Sequence, residues 1–122
     1  MITLANIVVF LVAIEHIAIC GIEMFASPER QARVFDMKTS FTKQESAQVA
    51  LANQGIYNGM LGIIMIIAFF IFDGMTLPRV WFLLLSMIIV VAIYGGFTAT
   101  KKIWLVQLLP AVIAVILLAL AH

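Results

Sequence analysis

An acid–imidazole pair lies in the first hydrophobic stretch of the chain, where Glu15 and His16 are adjacent and flanked by apolar residues. The stretch from Ile2 to Ala26 is long enough to cross a bilayer. A charged carboxylate near the centre of a bilayer costs ~2.5–3.5 kcal/mol on insertion scales, so such residues usually face a bundle interior, a partner or a wet cavity. The pair therefore predicts a polar site inside a membrane.

Two more reactive side chains share the His16 side of this stretch. His16, Cys20 and Glu23 have the spacing i, i+4, i+7, whereas Glu15 is rotated from His16 by about 100°. Two carboxylates and an imidazole in a low dielectric would have shifted pKa values, as proton transfer requires. In the structural alternative, Glu15 pairs with a neighbouring helix and only stabilises the bundle. The ligand types also suit a metal, but no second histidine is near, and we predict no metal site.

A second polar cluster occupies residues 53–59, which read Asn-Gln-Gly-Ile-Tyr-Asn-Gly. Its amides and phenol form one stripe at spacing i, i+4, and they are Asn53, Gln54, Tyr57 and Asn58. Glycines 55, 59 and 62 form the adjacent stripe and predict close approach of another helix. Polar adhesion between helices, worth ~0.6 kcal/mol per bond, is the structural alternative. Four such groups in six residues are more than adhesion needs, so we predict that they line a ligand.

The last two hydrophobic stretches contribute fewer polar groups. Tyr94 precedes two glycines, a pattern that predicts close helix packing, and its phenol is a candidate for the pocket. Gln107 and Pro110 lie on one side of the fourth stretch. Pro110 has no N–H for the carbonyl four residues before it and should kink the helix. We predict Gln107 as a further pocket residue.

The composition is that of a membrane protein. Of 122 residues, 65% are hydrophobic and 11% are charged, against about 45–50% and ~25% in soluble domains. Four stretches reach the about 20 apolar residues of a spanning helix, without the alternation of a membrane barrel. They are 2–26, 46–72, 78–99 and 103–121. We predict one domain, 1–122, that is an all-α integral membrane four-transmembrane-helix bundle.

Charge and cysteine content exclude several classes of protein. A net charge of +1, with no basic cluster interleaved with aromatics, argues against a nucleic-acid partner. The single cysteine excludes an intrachain disulfide. No Lys or Arg precedes the first stretch, which is longer than the apolar part of a signal peptide. We therefore expect it to be a retained helix.

The connections contain helix-start signals and a strong charge bias. Ser27-Pro28 predicts a short interfacial helix over about 28–36, between the first two spans. Thr42 with Glu45 three residues later predicts a capping box at the start of the second span. Six of the seven basic residues lie in the connections after the first and third spans, and only Arg79 lies on the other side. The positive-inside rule then predicts cytoplasmic basic loops and both termini outside.

This topology brings the polar groups to one level. Glu15 and His16 fall near mid-depth of the first span, and Glu23 falls near its cytoplasmic end. The polar groups of the other spans fall in the same half. We predict a pocket there, open to the cytoplasm or sideways to the inner leaflet. Its ligand-binding residues would be Glu23, Asn53, Gln54, Tyr57, Asn58, Tyr94 and Gln107.

The polar motifs also resemble those of a known family. The motifs are Glu15-His16, Glu23-Met24-Phe25, the run 53–59, Tyr94-Gly95 and Gln107-Leu108-Leu109-Pro110. Together they closely resemble the domain-of-unknown-function 1304 family (DUF1304) of small bacterial membrane proteins, over nearly the whole chain. The resemblance implies a bacterial four-helix membrane protein and no established activity. With the charge bias, it implies the inner (plasma) membrane.

The first functional hypothesis is a site that binds a small, partly apolar molecule or a lipid. In this hypothesis Glu15 is the acid/base or cation partner, and His16 relays a proton or orients Glu15. The amides and the phenol hold polar atoms of the ligand. An isomerase-type proton shift fits these groups and needs no cofactor.

Two other hypotheses remain open. In a proton-coupled transporter, Glu15 alternates between a proton and a cationic substrate, with access from both sides and a homodimer. Small multidrug-resistance transporters are similar in their four helices and helix-one glutamate, but their weak charge bias and their other signature residues are missing here. In the third hypothesis the chain is a structural subunit of a larger membrane complex. Every hypothesis includes the lipid bilayer as a partner.

Overall fold

The computed structural model describes all 122 residues and consists of helices joined by short connections. The helices are α1 (Ile2–Phe25), α2 (Pro28–Phe35), α3 (Thr39–Thr42), α4 (Glu45–Ile71), α5 (Thr76–Thr98), a π-helical segment (Trp104–Leu108) and α6 (Leu109–Ala121). Four stretches are long and apolar enough to cross a membrane, namely α1, α4, α5 and the continuous last helix from Trp104 to Ala121. The predicted all-α bundle with a short helix between its first two spans is therefore confirmed.

Apolar side chains cover the outside of the four long helices. Phe25, Leu83 and Phe97 are among the large apolar side chains that lie mostly exposed, and most of each helix surface is of this kind. A contiguous apolar surface of this extent is unfavourable in water and suits a lipid environment. The surface agrees with the length and hydropathy of the helices, which indicate a membrane protein.

Close packing of α1 against α4 depends on the predicted glycine stripe. A Cβ atom on Gly62 would collide with the carbonyl oxygen of Ala13, and one on Gly59 would lie 2.7 Å from Cys20 Sγ. A Cβ on Gly55 would be equally crowded by side chains of α1. The stripe lets the two backbones approach, as small residues do in membrane helix pairs. This prediction is confirmed.

The end of the bundle away from α2 is filled by a packed apolar core. Trp81 is 1% exposed, and its indole Nε1 donates to the carbonyl oxygen of Met65 over 2.9 Å. Its ring stacks on Phe69 at a centroid distance of 6.2 Å and meets Phe10 edge-on at 6.5 Å. Buried alanines of α1 and α6 complete the core, and they are Ala5, Ala13, Ala111 and Ala114.

The connection between α1 and α4 begins as predicted and ends differently. The Ser27 hydroxyl accepts from the Arg30 N–H over 3.3 Å and caps α2. The predicted capping box at Thr42 is wrong, because α4 begins without a side-chain cap and Thr42 ends α3. The Thr42 hydroxyl is buried and donates to the Pro28 carbonyl over 2.8 Å. This bond joins α3 to α2, and the N-cap position of α4 is Gln44 instead of Thr42.

A buried amide network fixes this connection against the long helices. The Gln31 side chain donates from Nε2 to the carbonyl oxygens of Ile22 and Glu23, both over 3.1 Å. Both carbonyls lie in the last turn of α1, and that of Ile22 also accepts from the Ala26 N–H over 3.2 Å. Gln48 of α4 donates to Gln31 Oε1 and to the Thr42 carbonyl, both over 2.6 Å. The network therefore joins α1, α2, α3 and α4.

Candidate functional site

A pair of polar side chains joins α1 and α4 within the bundle. The Asn58 amide donates from Nδ2 to Glu23 Oε1 over 2.6 Å. Glu23 is 5% exposed, and its second carboxylate oxygen makes no hydrogen bond or ion pair within the chain. That oxygen is also not among the fully enclosed polar atoms. One oxygen of this carboxylate is thus held by the protein, and the other remains accessible.

His16 lies two turns earlier on the same side of α1. It is 2% exposed, and its Nδ1 lies 2.8 Å from the carbonyl oxygen of Val12. A neutral ring that donates from Nδ1 keeps a lone pair on Nε2. Nε2 has no hydrogen-bond partner in the chain and is not fully enclosed. The ring is therefore oriented by α1 and offers one nitrogen as an acceptor.

These side chains border two cavities between α1, α4, α5 and the last helix. The first cavity has a volume of about 250 Å³ and includes Glu23 in its lining. The second has a volume of about 210 Å³ and includes His16. Four residues line both cavities, namely Gln54, Asn58, Val91 and Gln107. The two cavities are thus neighbouring parts of one space, which we call the joined cavity.

A third cavity adjoins the first one at the α2 end of the bundle. Its volume is about 210 Å³, and Ile19, Phe35, Thr100, Ile103 and Gln107 line both. The lining of the third cavity also includes Lys102. All the cavities contain lining residues from the half of the bundle that carries the polar groups. The second cavity also reaches the edge of the apolar core at Ile88, and Trp81 lines no cavity.

The π-helical segment positions Gln107, the residue that borders all three cavities. In this segment the Leu109 N–H donates to the carbonyl of Trp104, five residues back. Pro110 follows at the first turn of α6, where its missing N–H interrupts the α-helical ladder. Next to Pro110, where a kink was predicted, the helix contains this π-helical segment, an irregularity that often occurs at functional sites.

The Trp104 indole fastens the π segment to α5. A Cβ on Gly96 would overlap this indole, and the Phe97 ring meets it edge-on at a centroid distance of 4.8 Å. A Cβ on Gly95 would lie 3.0 Å from Ile103. These contacts confirm the close packing predicted at the two glycines. They hold α5 against the last helix and leave the space between α4 and α5 to the joined cavity.

An ion pair stands at the rim where the α2–α3 connection meets the start of the last helix. Lys102 Nζ donates to Asp36 Oδ1 over 2.8 Å, and the Thr100 hydroxyl donates to Asp36 Oδ2 over 2.6 Å. The hydrogen bond from Lys102, followed by that from Thr100, holds the pKa of the exposed Asp36 carboxyl below its usual range. Asp36 has φ 53°, a left-handed conformation that ends α2. Phe35 and Met37, its neighbours, line the first cavity.

The structure brings most of the predicted site residues together. Glu23, Gln54, Asn58 and Gln107 line the first cavity, and His16 and Tyr57 line the second. Tyr57 stands at the edge, because its side chain is 74% exposed.

Three predicted residues lie elsewhere. Tyr94 is 71% exposed and borders no cavity. Asn53 is exposed, and its amide donates to the Val49 carbonyl of its own helix over 3.2 Å. Glu15 borders no cavity either, and its Oε1 is enclosed without a hydrogen-bond partner. The stripe of α1 that meets α4 includes Ala13 and Cys20, and Glu15 lies about 140–160° around the helix from it. The structure therefore separates the Glu15 carboxyl from the cavity that contains its neighbour His16.

Several residues of the site region were missed from the sequence. Gln31 and Gln48 have the polarity of surface residues, and only the burial of Gln31 and its hydrogen bond from Gln48 reveal a structural role. Thr100 and Lys102 follow α5; from the sequence, Lys102 counted only among the basic residues of this connection, and Thr100 was not singled out. Their partner Asp36 is more than sixty residues away in the sequence, so no local pattern could identify the pair.

The side chains of His16, Cys20 and Glu23 in α1, whose types suit a metal ion, form no metal-binding group. No cluster of three or more His, Cys, Asp or Glu side chains is placed to hold an ion. Cys20 Sγ instead contacts Met24 Sδ over 3.5 Å and faces Gly59.

Comparison with known proteins identifies the family. A family model described as a protein of unknown function (DUF1304) matches residues 10–119. The chain is also 43% identical over 114 residues to the uncharacterized protein YpaA of Lactococcus lactis subsp. lactis (strain IL1403). These aligned residues cover 93% of this chain and 94% of that protein. No solved structure matches. The chain therefore belongs to the DUF1304 family, as its motifs predicted.

Proposed function

We propose that this DUF1304 protein binds a small, partly apolar molecule in the joined cavity. The observation that supports the proposal is the set of polar side chains from three spans around one space, with mainly aliphatic walls. The polar groups belong to His16, Glu23, Gln54, Asn58 and Gln107. Small-molecule sites combine apolar walls with a few convergent polar groups in this way.

The size of the space supports a small ligand. Typical ligand pockets measure about 300–1,000 Å³, and the two parts of the joined cavity have volumes of about 250 and 210 Å³. The joined cavity therefore suits a molecule the size of a substituted benzene better than a whole phospholipid. The charge bias of the connections supports a cytoplasmic position for its α2 end, with the protein in a bacterial inner membrane.

Acid/base chemistry in this cavity would use His16 and not Glu15. His16 Nε2 offers an oriented acceptor beside the second cavity, whereas the Glu15 carboxyl lies outside both cavities. Glu23 and the amides would hold and orient polar atoms of the ligand. An isomerase-type proton shift needs one such base and an oriented substrate, without a cofactor.

A cavity-filling variant tests the proposal. Val91 lines both parts of the joined cavity, and Val90 beside it lines neither. We expect 2-phenylethanol to cause saturable shifts of the Ile19, Leu61 and Ile103 methyl NMR signals of the wild-type protein in nanodiscs. Val91→Phe should abolish these shifts by filling the space, whereas Val90→Phe on the outer surface should preserve them. Shifts that do not saturate, or that survive Val91→Phe, would reject the proposed site.

A further inference from the structure

We propose that the ligand of the joined cavity is an organic monocation, a primary ammonium group on a small apolar body, whose charge pairs with Glu23. The inference rests on the proposed function and names the chemical class of its ligand. The argument uses three properties of the cavity: its uncompensated charge, its hydrogen-bonding groups and its walls.

The joined cavity contains one acid and no Lys or Arg. Glu23 is the acidic residue in its lining, and both ion pairs of the protein involve other acids. The neighbouring Lys102 belongs to the third cavity and is engaged by Asp36. A carboxylate in an apolar setting is unfavourable unless a counter-charge meets it. A cation entering the cavity would supply the counter-charge that the chain itself does not provide.

The hydrogen-bonding groups match the three donors of an ammonium group. Asn58 holds one oxygen of Glu23 and leaves the other accessible. Gln54 and Gln107 border both parts of the cavity, and their side-chain amides form none of the hydrogen bonds found within the chain. An ammonium group has three N–H donors and no acceptor. One carboxylate oxygen and two amide oxygens from different helices can therefore receive all three.

The walls determine what the charged group must be attached to. Ile19, Leu51 and Val91 from three different spans line the first cavity, and Leu61, Met87 and Ile88 line the second. These side chains favour a hydrocarbon or aromatic body through burial of apolar surface, at roughly 25 cal/mol per Å². A small inorganic cation would leave this surface unused, and an anion would oppose Glu23.

Three probes with the same aromatic body and different charges test the inference. They are 2-phenylethylammonium, neutral 2-phenylethanol and anionic 3-phenylpropanoate, titrated into the protein in nanodiscs of zwitterionic phosphatidylcholine. The methyl signals of Ile19 and Ile103 report occupancy. We expect the ammonium compound to bind at least about tenfold more tightly than the alcohol, because hydrogen bonds to charged groups are the strong ones. The propanoate should bind most weakly.

Variants of Glu23 and Glu15 show which carboxylate causes the preference for the ammonium compound over the alcohol. Glu23→Gln keeps an oxygen that can accept from Asn58 and removes the charge, so the ammonium compound and the alcohol should then bind alike. Glu23→Asp keeps the charge and should retain the preference. Glu15→Gln is the matched control, because Glu15 borders neither part of the cavity, and it should leave the preference unchanged. Gln107→Met removes one hydrogen-bond acceptor from the cavity without breaking a hydrogen bond within the chain. It should weaken binding of the ammonium compound severalfold.

The outcomes separate this inference from the proposed function. In one outcome, the wild-type protein binds the ammonium compound and the alcohol equally, and both are lost in Val91→Phe. That result would overturn the inference that the ligand is a cation and would retain the proposal that the joined cavity binds a ligand. A preference abolished by Glu15→Gln and not by Glu23→Gln would also overturn the inference. If none of the three probes binds saturably, the proposed ligand-binding role of the joined cavity is rejected.

Discussion

Gly62 of α4 lies directly against the main-chain carbonyl of Ala13 in α1, with no room for a methyl group between them. One turn earlier in α4, the same approach brings Asn58 to the Glu23 carboxylate. The glycine stripe of α4 therefore sets both the distance between α1 and α4 and the position of Asn58 relative to Glu23. A change that separates the two helices should therefore loosen both the fold and the site.

Gly62→Ala should destabilise the bundle by about 1–3 kcal/mol, the usual range for overpacking. The new methyl group meets a backbone oxygen, which cannot move aside as a flexible side chain would. Thermal unfolding in detergent measures the change. The matched control is Gly21→Ala, because a Cβ there meets nothing within 4 Å. It should be neutral or stabilising by up to ~1 kcal/mol through helix propensity. Equal effects of the two variants would refute the role of the stripe.

Asp36→Asn should remove part of the acid sensitivity of the protein. The pKa of Asp36 is held low by the hydrogen bonds from Lys102 and Thr100. A carboxyl with a lower pKa in the folded state stabilises the fold above its unfolded pKa of about 3.9, and this contribution disappears as the pH falls through the folded value. Below about pH 4, we expect the thermal unfolding midpoint of the wild type to decrease more steeply with falling pH than that of the variant. The difference should shrink at high salt, because the pair is exposed.

Asparagine is a suitable replacement at position 36 because it tolerates the left-handed backbone conformation found there. Asp73→Asn serves as the control, since Asp73 is exposed and forms no ion pair or side-chain hydrogen bond. It should leave the acid limb of the pH profile unchanged. An identical profile for the wild type and Asp36→Asn would show that the rim ion pair does not stabilise the fold.

The sidedness of the bundle can be tested by cysteine labelling. In a Cys20→Ala background, Met75→Cys lies between α4 and α5, and Ser40→Cys lies in α3 at the basic end. Both positions are exposed. A membrane-impermeant maleimide applied to intact bacteria should label position 75 and not position 40, as the positive-inside bias predicts. The reverse pattern would invert the topology.

Sequence patterns could predict the spans and the glycine stripe at which another helix approaches α4, but they did not identify that helix as α1. The glycine stripe is visible because helical periodicity fixes which residues share a face. The polar residues on the adjacent face, such as Gln54 and Asn58, followed from the same argument. These features depend on short-range spacing within one helix, which is why they could be identified without coordinates.

The rotation of each helix toward its neighbours could not be predicted in this way. The positions of Glu15 and Tyr94 along their helices follow from the sequence, but the directions of their side chains depend on which helix lies on each side. The structure leaves both outside the lining of the joined cavity. Thr42 had a local capping signal, but it lies in α3, where its hydroxyl donates to the Pro28 carbonyl, and α4 begins after Gln44. Tertiary contacts decided each of these cases.

The packing around Trp81 fills the end of the bundle away from α2. Its indole is bonded to the Met65 carbonyl and contacts the rings of Phe10 and Phe69, and none of these side chains lines a cavity. For a ligand bound as proposed, entry and exit would therefore both lie in the half of the bundle that carries the polar groups. Transport across the bilayer would require the aromatic packing around Trp81 to open.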